Sequence, residues 1–426
     1  MNYRLKTVVI TLATTACLNA GRAVAEEVTA SGPTLNLSGY GTFGYVRTDT
    51  NLAEYSNSGQ PKGADKGGSF SVDSKLGVQA TAIFDSTFST TIQALSRYNG
   101  QGNWKPSIEW AFVRANLGQG FGLRVGRIGT PYFQLSDYRN VGYASLWPRP
   151  PQESYAHNPF SSHDGFDLLW QGEVRGVLLN TQVYAGRSKV ILGNNPFRLD
   201  KIRGINATAE IGPLTLRAGY AVAKFGYELP EVNQLVEGLR ALGEIPLPEF
   251  TGMTSLANEL IPKNKNSSFG GVGMSLDWKN IIVIAEYTRR MIDTVTPDTL
   301  GWYTTFGYRV GSVTPYVTFS EKRQTSARTT NLIPSQDAVS FYGLPPQVVG
   351  ALPSLQAGVE TVLSEQAHKT TALGLRWDIR RNVALKMQHE WIRLRDSQAN
   401  GLFSNQKPGF VDKTYNVTTI VVDFVF

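Results

Sequence analysis

The chain has 426 residues, a single cysteine and a formal net charge of +7, from 41 Lys and Arg against 34 Asp and Glu. Glycine is abundant, aromatics make up 11% and Met is rare. After residue 25 no stretch approaches the ~20 apolar residues that a transmembrane helix needs. These features exclude a helical membrane protein and a disulfide-stapled scaffold, and the scatter of positive charge argues against nucleic acid as a partner.

Arg4 and Lys6 precede an apolar core that begins at Val8 to Leu12, and Ala23-Val24-Ala25 suits the small-residue cleavage rule. Residues 1–25 read as a secretory leader and 26–426 as one domain. Cys17 sits inside the leader. Its alternative, a lipid-anchored cysteine, would want Leu where Thr14 stands. Cleavage would remove Arg4, Lys6 and Arg22 but no acid, which lowers the net charge to +4. An exported chain with no cysteine and no apolar helix has one way to span a bilayer, a closed barrel with every backbone group paired between strands.

Period-two alternation follows from the N-terminal third onward. It predicts strands near 34–47, 69–84, 86–97, 107–117, 121–128, 166–172, 174–186 and 200–211, then near 213–226, 268–278, 281–291, 300–310, 312–322, 368–379, 381–394 and 413–426. Leu373, Leu375, Trp377 and Ile379, for example, oppose Thr370, Arg376 and Asp378. Tight turns are expected around Asp85, Gly118-Gln119-Gly120, Gly172-Glu173, Gly212-Pro213, Lys279-Asn280, Gly311 and Arg380. Long connections alternate with them strictly. The fold class is thus all-β: a transmembrane antiparallel β-barrel of 16 strands, with long extracellular loops and both chain ends at the turn end. Ile420, Val422, Phe424 and Phe426 share one face of the last strand. With Trp302, Tyr308, Trp377 and Trp391, Phe426 suits an interfacial aromatic girdle.

Lys75-Leu76-Gly77-Val78-Gln79 and Val125-Gly126-Arg127, taken in order with this loop arithmetic, resemble the trimeric Gram-negative porins over 34–426. Gln79 departs from the basic residue that ends the first pattern in that family. The resemblance implies a homotrimer in the outer membrane, in contact with lipid and lipopolysaccharide, whose lumen passes small hydrophilic solutes and ions. It also implies that the third loop, 129–165, folds into the lumen. Pro131, Pro148, Pro150 and Pro151 would stiffen that loop, its aromatics would pack on the inner wall, and Asp137, Arg139, Arg149, Glu153 and Asp164 would form its charged edge.

Opposite such a loop the family places a ladder of basic side chains. Inward parity yields Lys75, Arg97, Arg217, Arg290, Arg309, Lys322, Arg376 and Lys386, with Asp73, Glu210, Asp277, Glu286, Asp378, Glu390 and Asp423 as acids of the same parity. Opposed charges set a transverse field that orients dipolar solutes, though so even a balance decides little about ion preference. Around 107–117 neither alternation is clean, and Arg114 stays unassigned. Arg127 would face a neighbouring protomer, because a lone charge facing lipid at mid-depth costs ~2–4 kcal/mol.

Two further loops, 227–266 and 323–367, exceed what plain diffusion needs. Val232, Leu235, Val236 and Leu239 fall at helical spacing, while Phe341, Tyr342, Leu344, Val348, Val349 and Leu352 crowd the second loop. They form either a lid over the vestibule or packing between loops. His157 and His163 make a weak metal pair, no nucleophile motif stands out, and no cofactor or catalysis is expected. The expected function is a passive porin. The alternatives are a substrate-selective porin for small organic acids or anions, and an occluded structural or adhesive barrel.

Overall fold

The computed structural model describes residues 32–426 except 58, 157, 193–194, 262, 295–297, 326–330, 364–366 and 396–401. The expected leader and His157 lie outside the described residues. No described helix is long and apolar enough to cross a membrane.

Sixteen antiparallel strands form one closed barrel. They are β1 (Thr34–Thr48), β2 (Lys75–Ile83), β3 (Phe88–Arg97), β4 (Ser107–Gly118), β5 (Phe121–Gly129), β6 (Ser162–Val174), β7 (Val177–Leu192) and β8 (Asn195–Ile211). The second half comprises β9 (Leu214–Tyr227), β10 (Lys265–Trp278), β11 (Ile281–Ile292), β12 (Thr299–Tyr308), β13 (Val313–Gln324), β14 (Ala367–Arg380), β15 (Val383–Arg395) and β16 (Thr414–Val425). Closure falls to β1, which pairs with β2 through Thr34–Thr42 and with β16 through Tyr40–Thr48. At that seam the rings of Phe424 and Phe426 lie over Gly41 and Gly39, so closely that a Cβ on Gly39 would sit 2.2 Å from the Phe426 ring.

The outward face carries an apolar belt. Leu37, Val78, Ile92, Val125, Phe306 and Leu373 are all at least about half exposed. A soluble barrel would not leave such a belt in water; in a bilayer it meets hydrocarbon. Phe84, Phe88, Phe121, Trp278, Tyr308, Trp377 and Phe426 face outward beside the tight turns and ring that end with aromatics.

Two expectations need correction. The turn placed at Gly172-Glu173 lies at Arg175-Gly176, where both residues take positive φ (53° and 80°) as a two-residue type I′ hairpin requires. Gly172 stays in the strand, its face covered by the Trp170 ring. The long connection expected between 186 and 200 does not exist either. A bulge near Arg187 lets β7 and β8 pair on to Leu192 and Asn195.

The remaining loops carry structure of their own. On the third loop a short turn of helix, α1 (Gln152–Tyr155), enters the lumen. Helices α2 (Pro230–Gly243) and α3 (Met253–Leu260) of the 227–266 loop meet α4 (Gln336–Val339) and α5 (Pro346–Val362) of the 323–367 loop. They share a separate apolar core of Val232, Leu235, Val236 and Leu239 with Phe250, Leu256, Leu352 and Val359. Phe341 remains well exposed.

Candidate functional site

The third loop lies inside the barrel and is held there mainly through its backbone. Lys386 Nζ donates to the carbonyls of Gly142 (2.6 Å) and Trp147 (2.9 Å) and pairs with Asp423 (2.8 Å). Arg376 donates to the carbonyls of Tyr143 (2.8 Å) and Ser145 (2.7 Å), and Arg217 to those of Pro131 and Tyr132. Glu286 accepts the Gln134 amide N–H (2.7 Å) and the Tyr303 hydroxyl (3.2 Å). Trp147 is buried against Tyr303, its Nε1 donating to Thr305 and Thr318 at 3.0 Å each. Gly142 is the point of closest approach, since a Cβ there would meet Asp423 Oδ1 at 2.0 Å.

Arg149 completes the clamp. Its guanidinium lies 4.8 Å over the Tyr55 ring, joins Asp73 to Glu390, and donates to Thr419 (3.0 Å). Glu153, on the loop rather than on a spanning strand, accepts from the Thr370 hydroxyl and lies 3.4 Å from His368 Nε2. Burial pushes the Glu153 carboxyl up, but His368, Thr370 and its own backbone N–H outweigh this and hold it down to about 2. A carboxyl held below its ordinary 4.5 stabilises the folded state fully above that value, and loses this contribution as pH falls toward 2. The stability gap between wild type and Glu153→Gln, measured by urea unfolding in vesicles, should therefore shrink as pH falls from ~4.5 toward 2. A gap independent of pH would refute the assignment.

This arrangement corrects the expected ladder. Arg217, Arg376 and Lys386 do not stand opposite the loop; they lie behind it and grip it. Of the nearby acids, Glu286 and Glu390 hold the loop at Gln134 and Arg149, while Asp423 pairs with Lys386 on the wall. Arg309 lies at the turn end, bidentate on Asp277 (2.6 Å to Oδ2), and not at the loop's level. Asp378 is taken up by Arg376. Arg290 and Lys322 sit higher on the inner wall, beside a cavity walled largely by aromatic rings.

On the other side of the loop a polar cleft of about 320 Å³ remains. Lys75 and Arg97 are register partners on its barrel wall, and Arg139 faces it from the loop. Glu109 is there too, holding Ser107 (3.1 Å) and Ser161 (2.9 Å). Arg139 stacks near Phe133 (5.6 Å) and Tyr155 (6.0 Å), while Asp137 is exposed.

Two lumen arginines escaped sequence reasoning. A bulge between Ile108 and Trp110 turns Trp110, Phe112 and Arg114 inward, while Ile108 stays outside. This is why no single parity suited 107–117. Arg114 pairs in register with Arg124, which binds the fully buried Asp167 (2.6 Å) beside Gln182. Strict alternation from the outward Val125 would have found Arg124. Arg127 does face outward, but its partner is its own chain's Asp164 (2.7 and 3.0 Å), with the Ile108 carbonyl at 3.3 Å. Asp164 is thus on β6, outside the barrel, and not on the loop's charged edge. His163 contacts Thr130 (3.1 Å), and among the described residues no cluster of three or more His, Cys, Asp or Glu is placed to hold a metal.

No family model matches the sequence, and no curated protein matches it. Solved structures do. The chain is similar to OmpF of Salmonella typhi, solved with daunomycin (TM-score 0.55, 12% identity), over 94% of this chain and all of that one. It is similar to the outer-membrane OmpT of Vibrio cholerae (0.51, 9%), over 94% and 100%. A third likeness is to an anion-selective porin from Comamonas acidovorans (0.50, 11%), over 92% and 100%. The fold is that of the general porins, the sixteen-stranded barrel of the Gram-negative outer membrane.

Proposed function

We propose that the chain is a passive outer-membrane porin whose third loop narrows the lumen to a polar passage that favours anions. One observation carries this reading: the loop is fixed to the β9–β16 wall, and the cleft left beside it gathers three cations, Lys75, Arg97 and Arg139, around the acid Glu109. At the loop level Arg149, Arg376 and Lys386 are offset by the four acids Asp73, Glu390, Asp378 and Asp423, and Arg217 is engaged by loop carbonyls. The permeant class is small hydrophilic solutes and ions, with no reaction and no cofactor assigned.

Reconstitution in planar bilayers tests it. Stepwise conductance with a reversal potential of anion sign supports the proposal, whereas silent membranes containing folded protein end it. We further propose assembly as a homotrimer through the wall that carries Arg127 and Asp164. An ion pair on the outer wall is costly against lipid and tolerable beneath a second copy. Conductance in groups of three steps and a cross-linked trimer are the expected results; a cross-linked species no larger than one chain contradicts them.

A further inference from the structure

Above the third loop, toward the loop end, the lumen wall breaks the rule that inward faces of a porin are polar. Phe197 and Leu199 of β8, Phe225 and Tyr227 of β9, and Phe269 of β10 all point inward, and Tyr132 and Phe160 of the third loop face them. Together they enclose a cavity of about 330 Å³. That size, with aromatic walls and polar groups from Asn158, Ser267, Ser268, Arg290 and Lys322 among them, is typical of small-molecule sites.

The charged groups in its lining are both cations, Arg290 and Lys322. Their convergence follows from the register. On β12, Thr299 lies opposite Arg290 and Gly301 opposite Lys322. Two strand spacings, roughly 10 Å, separate the backbones of β11 and β13. Gly301 puts no side chain between them, both residues line the cavity, and the Arg290 charge bears on Lys322. Asp298 bears on Arg290 and Glu153 on Lys322 from outside the lining, so both cations already have company and offer their remaining N–H donors to the cavity. The cavity therefore combines aromatic walls and a few neutral polar groups with two cations and no acid in its lining.

We propose that this cavity binds an aromatic or alkyl carboxylate, its apolar body against Phe160, Phe197, Phe225 and Phe269 and its carboxylate on Arg290 and Lys322. Guanidinium and ammonium together suit a carboxylate, Arg giving a planar fork and Lys a point charge. The aromatic wall supplies the affinity that a small ion such as chloride cannot draw on. The site rests on the porin reading only for how its ligand arrives. Occupancy by such an anion would deepen that reading from a general to a selective conduit.

Calorimetric titration of the whole protein in detergent, with benzoate as the probe, tests this without requiring conduction. Benzoate is expected to saturate one site per chain. Benzamide lacks the charge, acetate lacks the ring and benzylammonium has the wrong sign; each should bind at least about tenfold more weakly, one decade in Kd. The double substitution Arg290→Gln, Lys322→Gln should weaken benzoate by a similar factor, and Phe225→Ala should weaken it while leaving acetate unchanged. If the double variant does not refold, Lys322→Gln alone reads the same loss. Benzoate that fails to bind, that binds no better than acetate, or that ignores Lys322→Gln overturns the site. Benzoate binding with silent bilayers would leave the site standing and remove the channel; conduction without benzoate binding would do the reverse.

Discussion

Replacing Lys386 with methionine is expected to destabilise the barrel by about 3–5 kcal/mol, because it removes one partner of a fully buried ion pair and strands the other. Lys386 and Asp423 are both inaccessible to solvent, and the same ammonium holds the Gly142 and Trp147 carbonyls. Asp423 would keep the Thr42 hydroxyl as a donor, too little for a carboxylate in that setting. The urea midpoint of the protein in lipid vesicles measures the loss. Single-channel current should also become noisier, since the loop tip is released where it touches the wall. The double variant Lys386→Met, Asp423→Asn should recover most of the stability but not the quiet current. The two effects are thereby separated: charge balance sets the first, and the grip on the loop sets the second. A single variant as stable as wild type would mean that the loop tip is not anchored there.

The second large effect concerns ion preference. Lys75→Gln, Arg97→Gln and Arg139→Gln together are expected to abolish anion selectivity, each step lowering the anion-to-cation permeability ratio. A unit charge about 4 Å from a permeating ion contributes ~1 kcal/mol in water and more between low-dielectric walls. That corresponds to roughly a fivefold change per residue. Reversal potentials in a tenfold salt gradient should move stepwise from anion sign toward zero. Arg309→Gln, far down at the turn end and bound to Asp277, serves as the control and should shift them little. Equal shifts from Arg309 and Lys75 would mean that the cleft beside the loop is not the conducting route.

Much of the barrel was legible because two-residue alternation leaves the strand no choice of face, as in Leu373–Ile379, and because the tight turns use residues that tolerate their dihedrals. The failures were local and physical. Arg175-Gly176 was missed since Gly172-Glu173 has the stronger turn composition, and only the strand pairing shows that Gly172 sits beneath Trp170. The bulge at Glu109 shifted the faces of Trp110, Phe112 and Arg114, and a bulge leaves no periodic trace. Inward parity did name Lys75, Arg97, Arg217, Arg376 and Lys386. What it cannot convey is which of them meets water and which meets the loop. That partition depends on contacts between residues as distant as 142 and 386.

Apart from Arg149, Glu153 and Trp147, the clamp on the third loop reads main chain. Three wall cations hold six carbonyls, those of Pro131, Tyr132, Gly142, Tyr143, Ser145 and Trp147. Mutational tolerance should follow that division of labour. Side chains are themselves used at Tyr132, Gly142, Tyr143, Ser145 and Trp147, but a grip made through carbonyls would survive a change of identity at any of them but Gly142. The wall positions have no such freedom, and a lineage that retuned what passes through would rewrite the insert and leave its sockets alone.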